Sequence, residues 1–142
     1  ESGINAANLK IEITESCLMK DPEETRRRMT EIKERNPGIR IAIDDFGTGY
    51  SSLSYLKKLP VQTLKIDRSF VDDIVDDSDD RSITSSIISL AHNMGMDVVA
   101  EGAETSEQIE VLKSLGCERA QGYFYARPLP LEELKAWLNN RT

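Results

Sequence analysis

The sequence is poor in the residues that carry metal or redox chemistry unaided. Its two cysteines, Cys17 and Cys117, lie far apart and match no Cys-x-x-Cys spacing, so they read as reduced, buried thiols. The single histidine, His92, falls inside a helical pattern and reads as structural. No apolar run approaches the roughly 18 residues needed to span a bilayer, so this segment is expected to make no membrane contact. Internal repeats and low-complexity linkers are absent as well. Positive charge is in deficit, with 18 Lys and Arg against 25 Asp and Glu and a net charge of −7. That balance disfavours a nucleic acid polymer as partner, and it would repel an anionic substrate unless cations reverse the local field. The chain opens at Glu1 with neither methionine nor signal-like segment, so it is expected to be a piece of a longer protein. A cytoplasmic location is expected, although the parent could be anchored to a membrane elsewhere.

What is present suits one globular domain: 142 residues, 39% hydrophobic and 30% charged. Strand-like runs alternate with helical ones. Leu9 to Ile13 alternates apolar and polar residues. Asp21, Pro22 and Glu24 open a helix as N-cap, N1 and N3, and Asn36-Pro37-Gly38 closes it. A strand follows from Ile39 to Ile43, then a short helix over Ser51 to Lys58 and a strand from Thr63 to Ile66. Ile83, Ile87, Leu90, Ala91 and Met94 recur at helical spacing within Ser82 to Met94. Asp97 to Ala100 reads as strand, and Thr105 with Gln108 forms a capping box. A short strand over Glu118 to Gln121 and a helix from Leu131 to Asn139 complete the pattern. Strict βα alternation implies a parallel sheet covered by helices, either an open doubly wound sheet or part of a (β/α)8 barrel.

In both architectures the working residues sit at the carboxyl ends of the strands, and there the sequence is consistently polar. The first strand carries Glu12, with Thr14 and Glu15 beside it. The second ends in Asp44 and Asp45, followed by a Gly-x-Gly loop. The third offers Lys65 and Asp67, the fourth Glu101 and Glu104, the fifth Gln121. The carboxylates could hold two divalent ions, a recurring device for cleaving phosphate esters. Lys65 could orient a water or counter a developing charge. The aspartate run from Asp72 to Asp80 lacks EF-hand spacing and reads as a solvated loop that caps the next helix.

Five phrases in order resemble the EAL domain family of bacterial cyclic di-GMP phosphodiesterases. They are Glu12-Ile-Thr-Glu15-Ser16, Asp44 through Leu53, Leu64-Lys-Ile-Asp67, Val99-Ala-Glu101-Gly-Ala-Glu104 and Gln121-Gly-Tyr123. The resemblance implies a partial (β/α)8 TIM-type barrel of about five C-terminal βα units, truncated at the N-terminus. Residues 1–142 would form the C-terminal part of one such domain. The family's Glu-Ala-Leu motif and the asparagine of its next strand are absent. Carried over residue by residue, Glu12, Asp44, Asp45 and Glu101 would bind Mg2+ or Mn2+, with Asp44 bridging two ions. Lys65, Glu101 and Gln121 would be catalytic. Phe46, Gly47, Thr48, Gly49, Tyr50, Ser51 and Ser52 match the family loop, which Glu104 would fix. Arg127 and Pro128 would flank the base of the substrate.

The resemblance implies hydrolysis of cyclic di-GMP to linear pGpG by the intact domain, with weak or no activity in this fragment. A homodimer is expected, since cut barrel edges seek partners. An upstream diguanylate cyclase (GGDEF) or sensory domain is a further expected partner. A non-catalytic cyclic di-GMP sensor or protein-docking module is the alternative. A phosphoacceptor receiver domain also pairs two aspartates with a later lysine, but Glu12 and Glu101 would have no role there.

Overall fold

The computed structural model describes residues 3–49 and 53–140. Its strands are β1 (Lys10–Thr14), β2 (Arg40–Phe46), β3 (Thr63–Ile66), β4 (Asp97–Glu101) and β5 (Arg119–Gln121). The helices are α1 (Glu15–Lys20), α2 (Pro22–Arg35), α3 (Leu53–Leu56), α4 (Ser69–Asp72), α5 (Ser78–Asn93), α6 (Ser106–Ser114) and α7 (Leu131–Asn139). All pairings are parallel and the strand order is β1-β2-β3-β4-β5. A doubly wound sheet reverses its strand order at a switch point. No reversal occurs here, so the sheet is a wall of a (β/α)8-type barrel.

Local chemistry explains the elements. Asp21 caps α2 by accepting from Glu24 N at 3.1 Å, with Pro22 in the first turn. The Thr105–Gln108 capping box opens α6. Asp77 accepts from the backbone of Asp79 and Asp80, so the aspartate run caps α5. That cap starts α5 at Ser78, four residues before the expected Ser82, because the apolar periodicity begins one turn inside the helix. The short helices α1 and α4 were not legible as apolar periods. Thr14 nucleates α1 by accepting from Cys17 N. Cys17 is exposed and Cys117 half-buried, so the expectation of a buried Cys17 is corrected. His92 pairs with Glu118, whose other oxygen accepts from Val98 N, a structural role as expected.

Residues i and i+2 share a sheet face, and the two faces differ. Ile41, Ile43, Leu64, Ile66, Val98 and Ala100 face the helices and are buried in one core with Leu18, Met29, Leu56, Ile88 and Leu112. The opposite face carries Glu12, Asp44, Thr63, Lys65, Asp97, Glu101, Arg119 and Gln121, as the register requires. A buried parallel sheet is ordinarily apolar on both sides. The polar face is therefore the unusual one, and it is the face a barrel encloses.

At the amino ends of the strands, Asp97 Oδ2 bridges Arg119 (2.6 Å) and Arg40 (3.0 Å), tying β2, β4 and β5 together. Burial alone would raise the Asp97 pKa, but the Arg119 and Arg40 guanidiniums outweigh it and hold the carboxyl below its usual range. A depressed folded-state pKa contributes stability above the unfolded value, near 3.9, and loses it as pH falls through the folded one. Asp97→Asn is expected to lower stability by about 1 kcal/mol at pH 7, a figure limited by solvent screening. In urea titrations at pH 7 and pH 2.5 the difference should shrink at the lower pH. An equal difference at both would exclude the charge as its cause.

Candidate active site

Lys65 organises the carboxyl-end rim. Its side chain is 5% exposed, and Nζ lies 2.6 Å from Glu12 Oε2, 2.7 Å from Glu101 Oε1 and 2.8 Å from Asp44 Oδ1. Burial opposes the ammonium most strongly, but the contacts with Asp44, Glu101 and Glu12 together overcome it and raise the pKa above that of a free lysine. Lys65 is therefore a fixed cation and a donor at neutral pH. The sheet brings these residues together through register: Thr14 pairs with Asp44, Lys65 with Val99 two residues before Glu101, and Glu101 with Gln121.

Consecutive strand residues point to opposite faces, so Asp44 and Asp45 should diverge. They do not, because the β2–β3 register shifts between Ile43 and Phe46. Asp45 sits at φ +53°, a left-handed conformation that aspartate tolerates better than most residues. Bulges of this kind re-aim side chains at active sites. One carboxylate oxygen from each of Asp44, Asp45 and Glu101 thereby falls within 4.8 Å of the others. Burial, then the facing Asp44 and Asp67 carboxylates, push the Asp45 pKa up, with Lys65 pulling against them. Asp44 Oδ1 is buried and lies 2.8 Å from the Lys65 ammonium, its one close polar contact among the described residues. An all-oxygen donor set converging in this way fits a hard divalent cation.

Glu15 is 1% exposed, and its Oε2 accepts from both Gly47 N and Gly49 N at 3.0 Å. It suspends the loop that follows β2 from α1. The loop was expected to be fixed by Glu104; among the described residues Glu15 does this instead, while Glu104 Oε1 lies 3.0 Å from Arg68 Nη2. The sequence places Glu15 beside Glu12 at the carboxyl rim, but the reading from it gave Glu15 no role. Its signal was a glutamate directly after a strand, facing a Gly-x-Gly loop that supplies unpaired N–H groups. Phe46 is buried, Thr48 Oγ1 donates to Asp45 O, and Gly47 at φ +106° packs its backbone against the Phe70 ring. Tyr50, Ser51 and Ser52 lie outside the described residues.

Gln121 lines a pocket of about 220 Å³ together with Arg68, Glu101, Gly102, Glu104 and Tyr123. The Arg127 guanidinium lies 4.6 Å from the centre of the Tyr123 ring. Arg127 and Pro128 line a neighbouring groove of about 500 Å³ that also contains Tyr125 and Trp137.

The family profile for the EAL domain matches residues 1–128. The chain belongs to the EAL domain family. The cyclic di-GMP phosphodiesterase NbdA of Pseudomonas aeruginosa is 44% identical over 138 residues, which is 97% of this chain and 17% of NbdA. The PaMucR phosphodiesterase structure in its c-di-GMP complex superposes with a TM-score of 0.87 at 44% identity, covering 92% of this chain and 52% of that one. The manganese/cy-diGMP complex of Klebsiella pneumoniae BlrP1 superposes at 0.80 with 33% identity, over 89% of this chain and 32% of that one. The chain thus spans less than a fifth of NbdA and about half of the MucR structure. Among the described residues no helix is long and apolar enough to cross a membrane.

Proposed function

We propose that the protein containing this EAL segment is a metal-dependent phosphodiesterase that opens cyclic di-GMP to linear pGpG in bacterial second-messenger signalling. Residues 1–142 are then the C-terminal part of its catalytic domain. The observation that carries this reading is the convergence of Asp44, Asp45 and Glu101 around Lys65. NbdA and MucR are named for this activity, and the MucR structure holds c-di-GMP.

Asp44, Asp45, Glu101 and Glu12 would hold Mg2+ or Mn2+, as their hard oxygen donors suit. Bound there, the ions would neutralise the clustered carboxylates and acidify a water for attack on phosphorus. Lys65 Nζ, held protonated, orients that water or donates to oxygen charge developing on the phosphate. The Gln121 side chain, one register step from Glu101, offers an amide to the same rim. Glu15 keeps the loop beside Asp45 in place. Arg127 and Pro128 line the groove that would receive the base.

Among the described residues five strands leave β1 and β5 as the edges of the sheet. We therefore expect little turnover from the 142 residues alone, with association into a homodimer through those edges. MucR is a bifunctional cyclase and phosphodiesterase, and an upstream GGDEF or sensory domain fits the short share of NbdA and MucR that this chain spans. A cytoplasmic catalytic domain accords with its nucleotide substrate. The alternative is a cyclic di-GMP sensor or docking module that binds without cleaving.

The test is chromatographic detection of pGpG from cyclic di-GMP by the full-length protein, with Mg2+ or Mn2+ and with chelator. Metal-dependent product formation is expected. Tight binding without product under all metal conditions would replace the enzyme by the sensor.

A further inference from the structure

An anionic dinucleotide must settle against a rim made mostly of carboxylates, and the cations near it differ in what they can still reach. Lys65, paired with three carboxylates, belongs to the proposed reaction centre. Arg127 is laid over Tyr123. Arg68, which neither strand pattern nor motif singled out, stands apart.

The Arg68 stem lies across the backbone of Gly102, the residue after Glu101. A Cβ on Gly102 would sit 2.3 Å from Arg68 Cγ, and Gly102 has φ +76°, so the position is reserved for glycine. Arg68 Nε donates to Asp72 Oδ1 at 3.0 Å and Nη2 lies 3.0 Å from Glu104 Oε1. Both anchoring segments are themselves tied. The buried Gln108 amide accepts from Glu104 N (2.7 Å) and Thr105 N (3.0 Å) and donates to Val71 O (3.1 Å) and Asp72 O (3.0 Å). All four hydrogen-bonding positions of that amide are filled. The guanidinium is thus held before any ligand arrives, while Nη1 has no partner among the described residues and the side chain stays 52% exposed. It lines the 220 Å³ pocket beside Glu101, Gln121 and Tyr123.

We propose that Arg68 is a substrate-binding residue whose Nη1 donates to a phosphate oxygen of the cyclic dinucleotide, an assignment that rests on the phosphodiesterase reading. Guanidinium–phosphate hydrogen bonds are short and strong, and a side chain already immobilised loses little entropy on forming one. The two carboxylates that hold Arg68 fix its direction without occupying its third nitrogen. The net effect is a half-exposed cation on an acidic rim, beside the residue that joins Lys65 and Gln121.

The test compares wild type, Arg68→Ala, Arg68→Met and Arg68→Lys in the full-length protein. It uses steady-state hydrolysis of cyclic di-GMP and equilibrium binding of the same nucleotide at several salt concentrations. Arg68→Met keeps the aliphatic stem on Gly102, so it removes the charge while sparing the packing. KM and Kd are expected to rise roughly tenfold or more in the Ala and Met variants, as for loss of a charged hydrogen bond. The change in kcat should stay within about threefold, and KM should depend less on salt. Arg68→Lys should recover part of the affinity. A fall in kcat with KM and Kd unchanged would mean that Arg68 only positions the Glu101–Glu104 loop, and would overturn the proposal. Arg68-dependent binding by a wild type that forms no pGpG would keep the phosphate contact and remove the hydrolase reading instead.

Discussion

Asp44→Ala and Lys65→Ala are each expected to remove nearly all of the proposed cyclic di-GMP hydrolysis from the full-length protein, a loss on the order of 10³-fold in kcat. The two losses have different physical origins. Asp44 contributes a buried carboxylate oxygen and lies within reach of the Asp45 and Glu101 carboxylates. On the proposed reading its removal takes away a metal ligand. Lys65 is the shared counter-charge of Glu12, Asp44 and Glu101. Without it three carboxylates face one another across a site that burial makes poorly screened, and breaking such a pair costs about 3–5 kcal/mol.

The stability readout therefore separates the variants. Lys65→Ala should be markedly destabilised in chelator and regain more stability from added Mg2+ or Mn2+ than wild type does, because the ions replace the missing charge. Asp44→Ala should show the opposite, a weakened metal effect on melting. Near-normal turnover by either purified variant would sink the assignment of this cluster as the reaction centre.

The second large effect is structural. Gly122→Ala is expected to destabilise the domain by roughly 3 kcal/mol, at the upper end for overpacking. A Cβ at residue 122 would lie 2.0 Å from Ala103 O and 2.5 Å from Ala103 N. Those atoms are backbone and cannot rotate away. They are also committed, since Ala103 N donates to Gln121 O at 3.2 Å and Phe124 N donates to Ala103 O at 3.0 Å. Relief requires β5 to draw back from the β4–α6 connection, which would separate Gln121 from Glu101. Denaturant titration of the variant checks the prediction. A midpoint equal to wild type would show that this junction is slack, and that Gln121 is not held there by backbone contact.

Much of this was legible in the chain. Caps and breakers at Asp21, Asn36-Pro37-Gly38, Thr105 and Gln108 are local chemistry, so the elements fall nearly where periodicity puts them. The polar residues at the strand ends stand out because the residues alternating with them are apolar. Glu15 and Arg68 were not legible. Each acts on a segment distant in sequence, Glu15 on Gly47 and Gly49 and Arg68 on Gly102 and Glu104, and no local pattern marks such a partner.

By itself, then, the sequence determined the alternation of strands and helices, the family, and the set of side chains available at the carboxyl rim. The alternation alone left a doubly wound sheet and a barrel open; the resemblance implied the barrel, and the strand order of the tertiary structure bears it out, since strand order is not encoded in local pattern. Only the tertiary structure decided how Asp44 and Asp45 act together. Adjacent residues on a regular strand face opposite ways, and it is the register shift after Ile43, with Asp45 turned to φ +53°, that brings both carboxylates to one site.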